Sequence, residues 1–387
     1  MISKIKAFFK RPDVNNSRQM NIDYAKAMSI FFMVFIHVLL NPAYVRLKDT
    51  IFGRLADRYF GGFMAAPIFM SAMGIGLTYT RHGQPNQIIK RGIKFFILSF
   101  VLNIARGFSV IIYSTVMHRS NLGAFYIYEI FNGDILGFVG LALILFGLLK
   151  KLKHHKIIIP SLALIFTIIV TAVPPIYTNI DALGYTIGYI FPIGQTIIAG
   201  GTVVTEDLIV FFPLMSWFSV VAFGYVYGLV IHKIKNLDRF YLITAMIGLV
   251  LFVPILFTEV FCGYGEMNKD ATTLQNYLKT FPDLVMSIGF IMLNFSFWHL
   301  VCKVTSDKLN KFFFMMSNAI NEIYIISWVL ILNVGYMILN YAIGGIDGKI
   351  WVYVVTYALI MIASIFLGMM WKQLKIRHQE KKKIMKV

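Results

Sequence analysis

Charge is scarce in this chain. Only 14% of its 387 residues are charged, where a soluble domain of ordinary composition carries about 25%. Acidic groups are scarcer still, 18 Asp and Glu against 36 Lys and Arg. Cysteine is nearly absent, with only Cys262 and Cys302, which excludes a disulfide-stapled scaffold. No low-complexity tract and no clear internal repeat is present, so a solenoid or a disordered tail protein is not indicated. His154-His155 is the one histidine pair. It sits in a lysine-rich loop without the further ligands that a metal site needs.

Apolar residues fill the space that charge leaves. They make up 58% of the chain, and aromatics 16%. Many stretches approach the ~20 residues needed to cross a bilayer. The first is too long for the core of a secretory signal and lacks a small-residue cleavage pattern, so it is expected to remain as a helix. Hydropathy predicts an all-α, polytopic membrane helix bundle with about ten transmembrane helices. The spans are expected at 24–43, 59–80, 92–113, 127–149, 157–177, 208–232, 240–262, 283–303, 314–340 and 350–371. A weaker stretch, 183–198, is broken by Gly184, Gly188, Pro192 and Gly194 and is expected to be re-entrant or interfacial.

The basic residues set the expected orientation. With the N-terminus inside, inward segments hold 26 of the 36 Lys and Arg, and the outward loops hold eight. Positive residues favour the cytoplasmic side, so both termini are expected there. The organisation is then a basic cytoplasmic segment over 1–20, a transmembrane domain over 21–372 and a basic tail over 373–387. The net charge of +18 reads as topology and contact with anionic membrane lipid. It is spread over short loops, which disfavours a nucleic-acid partner. Cys262 and Cys302 fall on opposite sides, so no disulfide is expected.

Ionisable groups inside a bilayer are costly and by default mark function. In the first span, Lys26 and His37 are separated by ten residues. Eleven steps of 100° make about three turns, which places both on one face roughly 16 Å apart. Asp23 lies three residues before Lys26, at the cytoplasmic mouth, and His37 lies in the outer half. Asn103 and Arg106 in the third span and Asn132 and Asp134 in the fourth have matching depth, and an Arg106–Asp134 pair is one expectation. Asn318, Asn321 and Glu322 fall in the inner part of the ninth span, and His299 in the inner part of the eighth. Asn103, Asn294 and Asn333 read more simply as interhelical hydrogen-bonding residues. Glu206-Asp207 reads as a cap on the sixth span. The inner loop with Arg81, Lys90, Arg91 and Lys94 serves orientation in any protein of this topology, and its cations also suit a polyphosphate such as that of coenzyme A.

Arg18 through Asp23, Lys26 and His37 resembles the opening signature of the membrane acyltransferase-3 superfamily, an Arg, ten residues, then His, with an Asp three residues before the Arg. Lys26 stands at the Arg position. Further segments resemble the heparan-α-glucosaminide N-acetyltransferase-like branch: Ala66-Pro67-Ile68-Phe69 with Met73-Gly74 and Gly76, Lys90-Arg91 with Lys94, and Gly133-Asp134-Ile135-Leu136 with Gly140-Leu141. Phe212-Pro213-Leu214-Met215-Ser216-Trp217 with Gly224 and Gly228 resembles its Phe-Pro-x-x-x-Trp helix. Asn321 to Tyr324 with Ser327-Trp328 resembles its late segment, without the usual His there. The resemblance covers about 20–340.

The resemblance implies an integral membrane acyltransferase of a bacterial cytoplasmic membrane. It would move an acyl group, commonly acetyl, from cytoplasmic acyl-CoA (acetyl-CoA) to an extracytoplasmic acceptor, a small molecule or the amine or hydroxyl of a glycan sugar. The family's histidine carries over to His37 and its basic first-helix residue to Lys26. Polarity adds Arg18, Asp23, Lys90, Arg91 and Lys94 at the donor's phosphates, and Asp134, Asn103 and Arg106 around the imidazole. His37 would act as general base or carry the acyl group. A thioester is already activated, so no metal is called for. The alternative is a transporter or flippase of a lipid-linked glycan, which would also explain ten spans and a broken segment. A non-catalytic assembly protein would leave the Asp23, Lys26 and His37 line unexplained.

Overall fold

The computed structural model describes residues 8–9, 11–40, 45–48, 50–80, 83–116, 130–173, 176–178, 181–199, 202–208, 210–261, 280–336 and 349–384. Each of the ten expected spans falls on a helix or a helix pair. Apolar sequence alone does not demand this, but lipid offers no partner to a free backbone amide, so an apolar run must satisfy its own hydrogen bonds. Among the described residues, seven helices are long and apolar enough to cross a membrane, and up to eight if a bent pair counts as one span. Of the remaining two, Pro85–Val116 is 32 residues long and Ile135–Lys150 only 16. At 1.5 Å per residue the latter reaches about 24 Å, short of a ~30 Å hydrocarbon layer. The protein is an integral membrane helix bundle.

The chain divides into two compact units. The first comprises Met1–Gln19, Pro67–Val101 and Phe131–Leu300. Its core helix is Leu214–Ile231, which Pro213 opens. Close approach rests on glycine. A Cβ at Gly74 would stand 2.8 Å from the Tyr225 nitrogen, and one at Gly224 2.7 Å from the Ser71 carbonyl carbon. The family-like glycines of two segments thus meet each other. Gly248 and Gly289 do the same for Leu237–Phe261 and Phe281–Val304. The Leu237–Phe261 helix turns large apolar side chains outward, Val250 at 71% exposure among them. Such a face is at ease only in lipid.

The Gly- and Pro-broken stretch 183–198 does not cross as a helix. Asp181–Ile187 is a seven-residue helix, followed by a strand, Ile193–Ala199. That strand pairs in parallel with Ile176–Thr178 and antiparallel with Thr202–Leu208. Glu206 and Asp207 therefore lie in a hairpin, opposite Thr196 and Gln195, and do not cap the sixth span. At the other end of this unit the N-terminal segment is tied to the close of the Leu214–Ile231 helix. The amides of Val14 and Asn15 donate to the His232 carbonyl at 2.8 and 3.2 Å. Asn16 Oδ1 meets His232 Nδ1 at 3.2 Å, and Asp13 pairs with Lys233.

The second unit comprises Met20–Ala66, Leu102–Ile130 and Val301–Val387. The Met20–Leu39 helix is largely buried within it. Ile350–Ile384 lies against that helix, and Tyr353 donates its hydroxyl to the Phe35 carbonyl at 2.8 Å. It also meets Ile320–Leu330, where a Cβ at Gly368 would stand 2.9 Å from the Ile323 Cα. The expected straight span at 314–340 is broken. Asp307–Asn318 and Ile320–Gly335 meet at Ala319 with a bend of 70°. No glycine or proline marks the break, so sequence pattern does not announce it.

Candidate active site

The Met20–Leu39 helix carries an acidic group in its first turn and a histidine in its last. Both ends engage the broken helix. Asp23 is 6% exposed, and its Oδ1 accepts from the Ser317 hydroxyl at 2.6 Å. Lys26 Nζ donates to the Ser317 main-chain carbonyl at 3.1 Å. Ser317 sits in the last turn before the break, where carbonyls lack intrahelical partners. A cation there also complements the helix dipole. Lys26 and Asp23 together hold the end of one half-helix.

His37 meets the other half-helix. Its imidazole stacks on the Trp328 indole with ring centroids 4.0 Å apart and planes 26° apart. Tyr324 presents its ring edge-on at 5.8 Å. Trp328 Nε1 donates to the Tyr324 hydroxyl at 2.8 Å, one helical turn away. Arg106 closes the group, with its Cζ 5.0 Å from the Trp328 ring centroid, a cation–π distance. His37 as a residue is half-buried, and its Nδ1 is buried with no hydrogen-bond partner among the described residues.

Asn103 and Asn333 hold the part of the Pro85–Val116 helix that belongs to this unit, from Leu102 onward. Asn103 Nδ2 donates to the Ile130 carbonyl at 2.9 Å. Asn333 Nδ2 donates to the Ala105 carbonyl at 2.8 Å, and its Oδ1 accepts from the Ser109 amide at 2.8 Å. Asn333 is thus the interhelical clamp expected of it, and it secures the turn that carries Arg106. Glu322, 5% exposed, accepts from Lys375 at 3.0 Å and lies 3.7 Å from Lys372.

The structure therefore brings His37, Arg106, Trp328 and Tyr324 together, with Asn103 one turn before Arg106 on the same helix. Asp134 belongs to the other unit. Its side chain caps the Ile135–Lys150 helix by accepting from the Ile135 amide. Arg18, Lys90, Arg91 and Lys94 also belong to that unit and are exposed, the last three in the first turns of Pro85–Val116. Arg81 lies outside the described residues, as does Cys262. His299 bonds Asp238 at 2.7 Å and stacks on Tyr241 at 4.3 Å, all within the first unit. Among the described residues no three His, Cys, Asp or Glu side chains are grouped to hold a metal ion.

Trp328 and Tyr324 are the residues that sequence reasoning did not place in the site. Their signal is faint: two aromatics four apart in an apolar segment of family-like spacing.

Fold and site together define a polytopic membrane protein with an imidazole held inside a helix bundle. The chain belongs to the family described as heparan-alpha-glucosaminide N-acetyltransferase, catalytic, whose model matches residues 18–258. That places it among membrane acetyltransferases. The match includes Asp23, Lys26, His37, Asn103, Arg106 and Asp134, and it stops before Tyr324 and Trp328. No curated protein and no solved structure matches the chain.

Proposed function

We propose that this protein transfers an acyl group, acetyl in the first instance, from acyl-CoA to an amine or hydroxyl of an extracytoplasmic acceptor such as a glycan sugar, with His37 as general base. The observation that carries this is the environment of His37. The histidine of the family's first-helix motif is stacked on Trp328, with Nδ1 buried and unpartnered among the described residues.

A neutral imidazole suits proton removal near neutral pH. His37 takes the proton as the acceptor nitrogen or oxygen attacks the thioester carbonyl. A tetrahedral oxyanion forms, and the Arg106 guanidinium and Asn103 are the nearby groups suited to stabilise it. Collapse breaks the carbon–sulfur bond, and the thiolate of CoA takes the proton back from the imidazolium. Acyl ester or amide and free CoA are the products. Arg18, Lys90, Arg91 and Lys94 are the proposed ligands of the donor's phosphates. Lys26 acts through the helix break, not on the donor, and Asp134 acts as a helix cap. Residues 21–372 form the transmembrane acyltransferase domain of this proposal, with 1–20 and 373–387 on the cytoplasmic side of a bacterial cytoplasmic membrane.

Purified protein in detergent, given acetyl-CoA labelled in the acetyl group, should release CoA and label an amino-sugar acceptor, and His37→Ala should not. Equal release by both forms sinks the proposal. One observation favours the alternative of a transporter or flippase: discontinuous helices like the pair bent at Ala319 line many transport sites. Movement of a lipid-linked glycan across liposomes without acyl-CoA is its signature.

A further inference from the structure

Resting on the proposed role of His37, we infer that Trp328 is the positioning residue of the reaction, fixing the imidazole plane by stacking, and that Tyr324 fixes Trp328. A catalytic imidazole must be held in one orientation. The common device is a carboxylate or carbonyl that accepts from one ring nitrogen. Among the described residues His37 has no such partner at Nδ1. What it has is a flat contact with an indole, centroids 4.0 Å apart.

The indole can serve only if it is itself fixed. Two interactions do this from different directions. Its Nε1 donates to the Tyr324 hydroxyl at 2.8 Å, which sets rotation about the side chain. The Arg106 guanidinium carbon lies 5.0 Å from its ring centroid, a cation–π distance. Stacking restrains the imidazole plane without taking up either ring nitrogen. Trp328 is only partly buried and is tethered.

The test compares Trp328→Phe, Trp328→Leu and Tyr324→Phe with wild type and His37→Ala. A catalytic group loosened by about 1 Å can lose ~100-fold in rate. Trp328→Leu should lower kcat by that order with the KM for acetyl-CoA within about twofold of wild type. Trp328→Phe keeps an aromatic plane and should recover most of the loss. Tyr324→Phe removes one oxygen, leaves the ring packing in place, and should lower kcat by about threefold to tenfold. Independent of turnover, diethyl pyrocarbonate should modify His37 severalfold faster in Trp328→Leu than in wild type, read by mass spectrometry. A dead His37→Ala beside a fully active Trp328→Leu overturns the inference alone. So does a Phe variant no better than the Leu variant, or an unchanged modification rate. A His37→Ala that works like wild type overturns the underlying proposal instead.

Discussion

Lys26 donates to the Ser317 carbonyl at 3.1 Å, and eleven residues further along each strand of sequence His37 lies flat on Trp328. The two contacts put the same spacing on two neighbouring helical stretches. One contact secures the end of Asp307–Asn318 and the other uses the helix that begins beyond the break. The ten residues between Lys26 and His37 thus measure the distance from a helix break to an imidazole.

Removal of the Lys26 charge should loosen the break. Lys26→Met loses a charged donor at a half-helix end, worth about 1–2 kcal/mol. The melting temperature in detergent should fall by several degrees and acetyl transfer with it. Lys26→Arg keeps the donor and should retain both. A Met variant that melts and turns over like wild type refutes the capping role.

His37→Gln should keep the fold and lose turnover. General-base catalysis contributes about 10²- to 10⁴-fold, so kcat should drop by that range with an unchanged melting curve. Retention of more than a tenth of wild-type kcat would falsify the assignment of His37 as base.

Glycines at helix contacts separate sharply from a glycine facing open space. Gly74→Ala puts a methyl 2.8 Å from the Tyr225 nitrogen, part of a backbone that cannot step aside. Overpacking of this kind costs about 1–3 kcal/mol. At Gly76 the place a Cβ would take has nothing within 4 Å among the described residues. Gly76→Ala should be neutral or stabilising by up to about 1 kcal/mol, since alanine favours helix. Thermal unfolding should shift down for Gly74→Ala and stay level or shift up for Gly76→Ala, and equal effects contradict the packing described.

Much of the bundle was legible because lipid leaves an apolar run few options besides helix. His37 and Arg106 stood out for the same reason, as costly groups at membrane depth. The partner of His37 did not. A tryptophan in an apolar run reads as packing or as an interfacial anchor, and nothing in a one-dimensional pattern says that Trp328 faces a residue from the first helix. The break at Ala319 was hidden too: it carries no glycine or proline, and the contacts beside it come from Asp23 and Lys26, far away in sequence. Glu206-Asp207 misled: acid before an apolar run resembles a cap, but pairing with 193–199 placed both in a hairpin.

The N-terminal tether should respond to acid in one direction. The hydrogen bond from Lys233 holds the Asp13 carboxyl below its ordinary range. A lowered value in the folded state means that the stabilisation is complete above the unfolded carboxylate's ~3.9 and disappears as pH falls through the lowered value. Asp13 is 48% exposed, which limits the pair to under about 1 kcal/mol. Proteolysis within residues 8–19 by an acid-active protease should accelerate only below about pH 4, and Asp13→Asn should show the fast rate at all pH values. A steady rate across that range in wild type argues against the tether.

Alanine is the residue that least resists helix, yet Ala319 is where the helix bends by 70°. Nothing in the alanine side chain calls for a bend, and the contacts beside it are those of Asp23 and Lys26 at Ser317. Substitutions at well-separated sites usually add in free energy. Lys26 and Trp328 should not: if the lysine fixes the half-helix that aims the indole, each change removes part of what the other depends on. In a double-mutant cycle on kcat, Lys26→Met combined with Trp328→Leu should cost less than the two losses summed. Sites on two different helices would then behave thermodynamically as one.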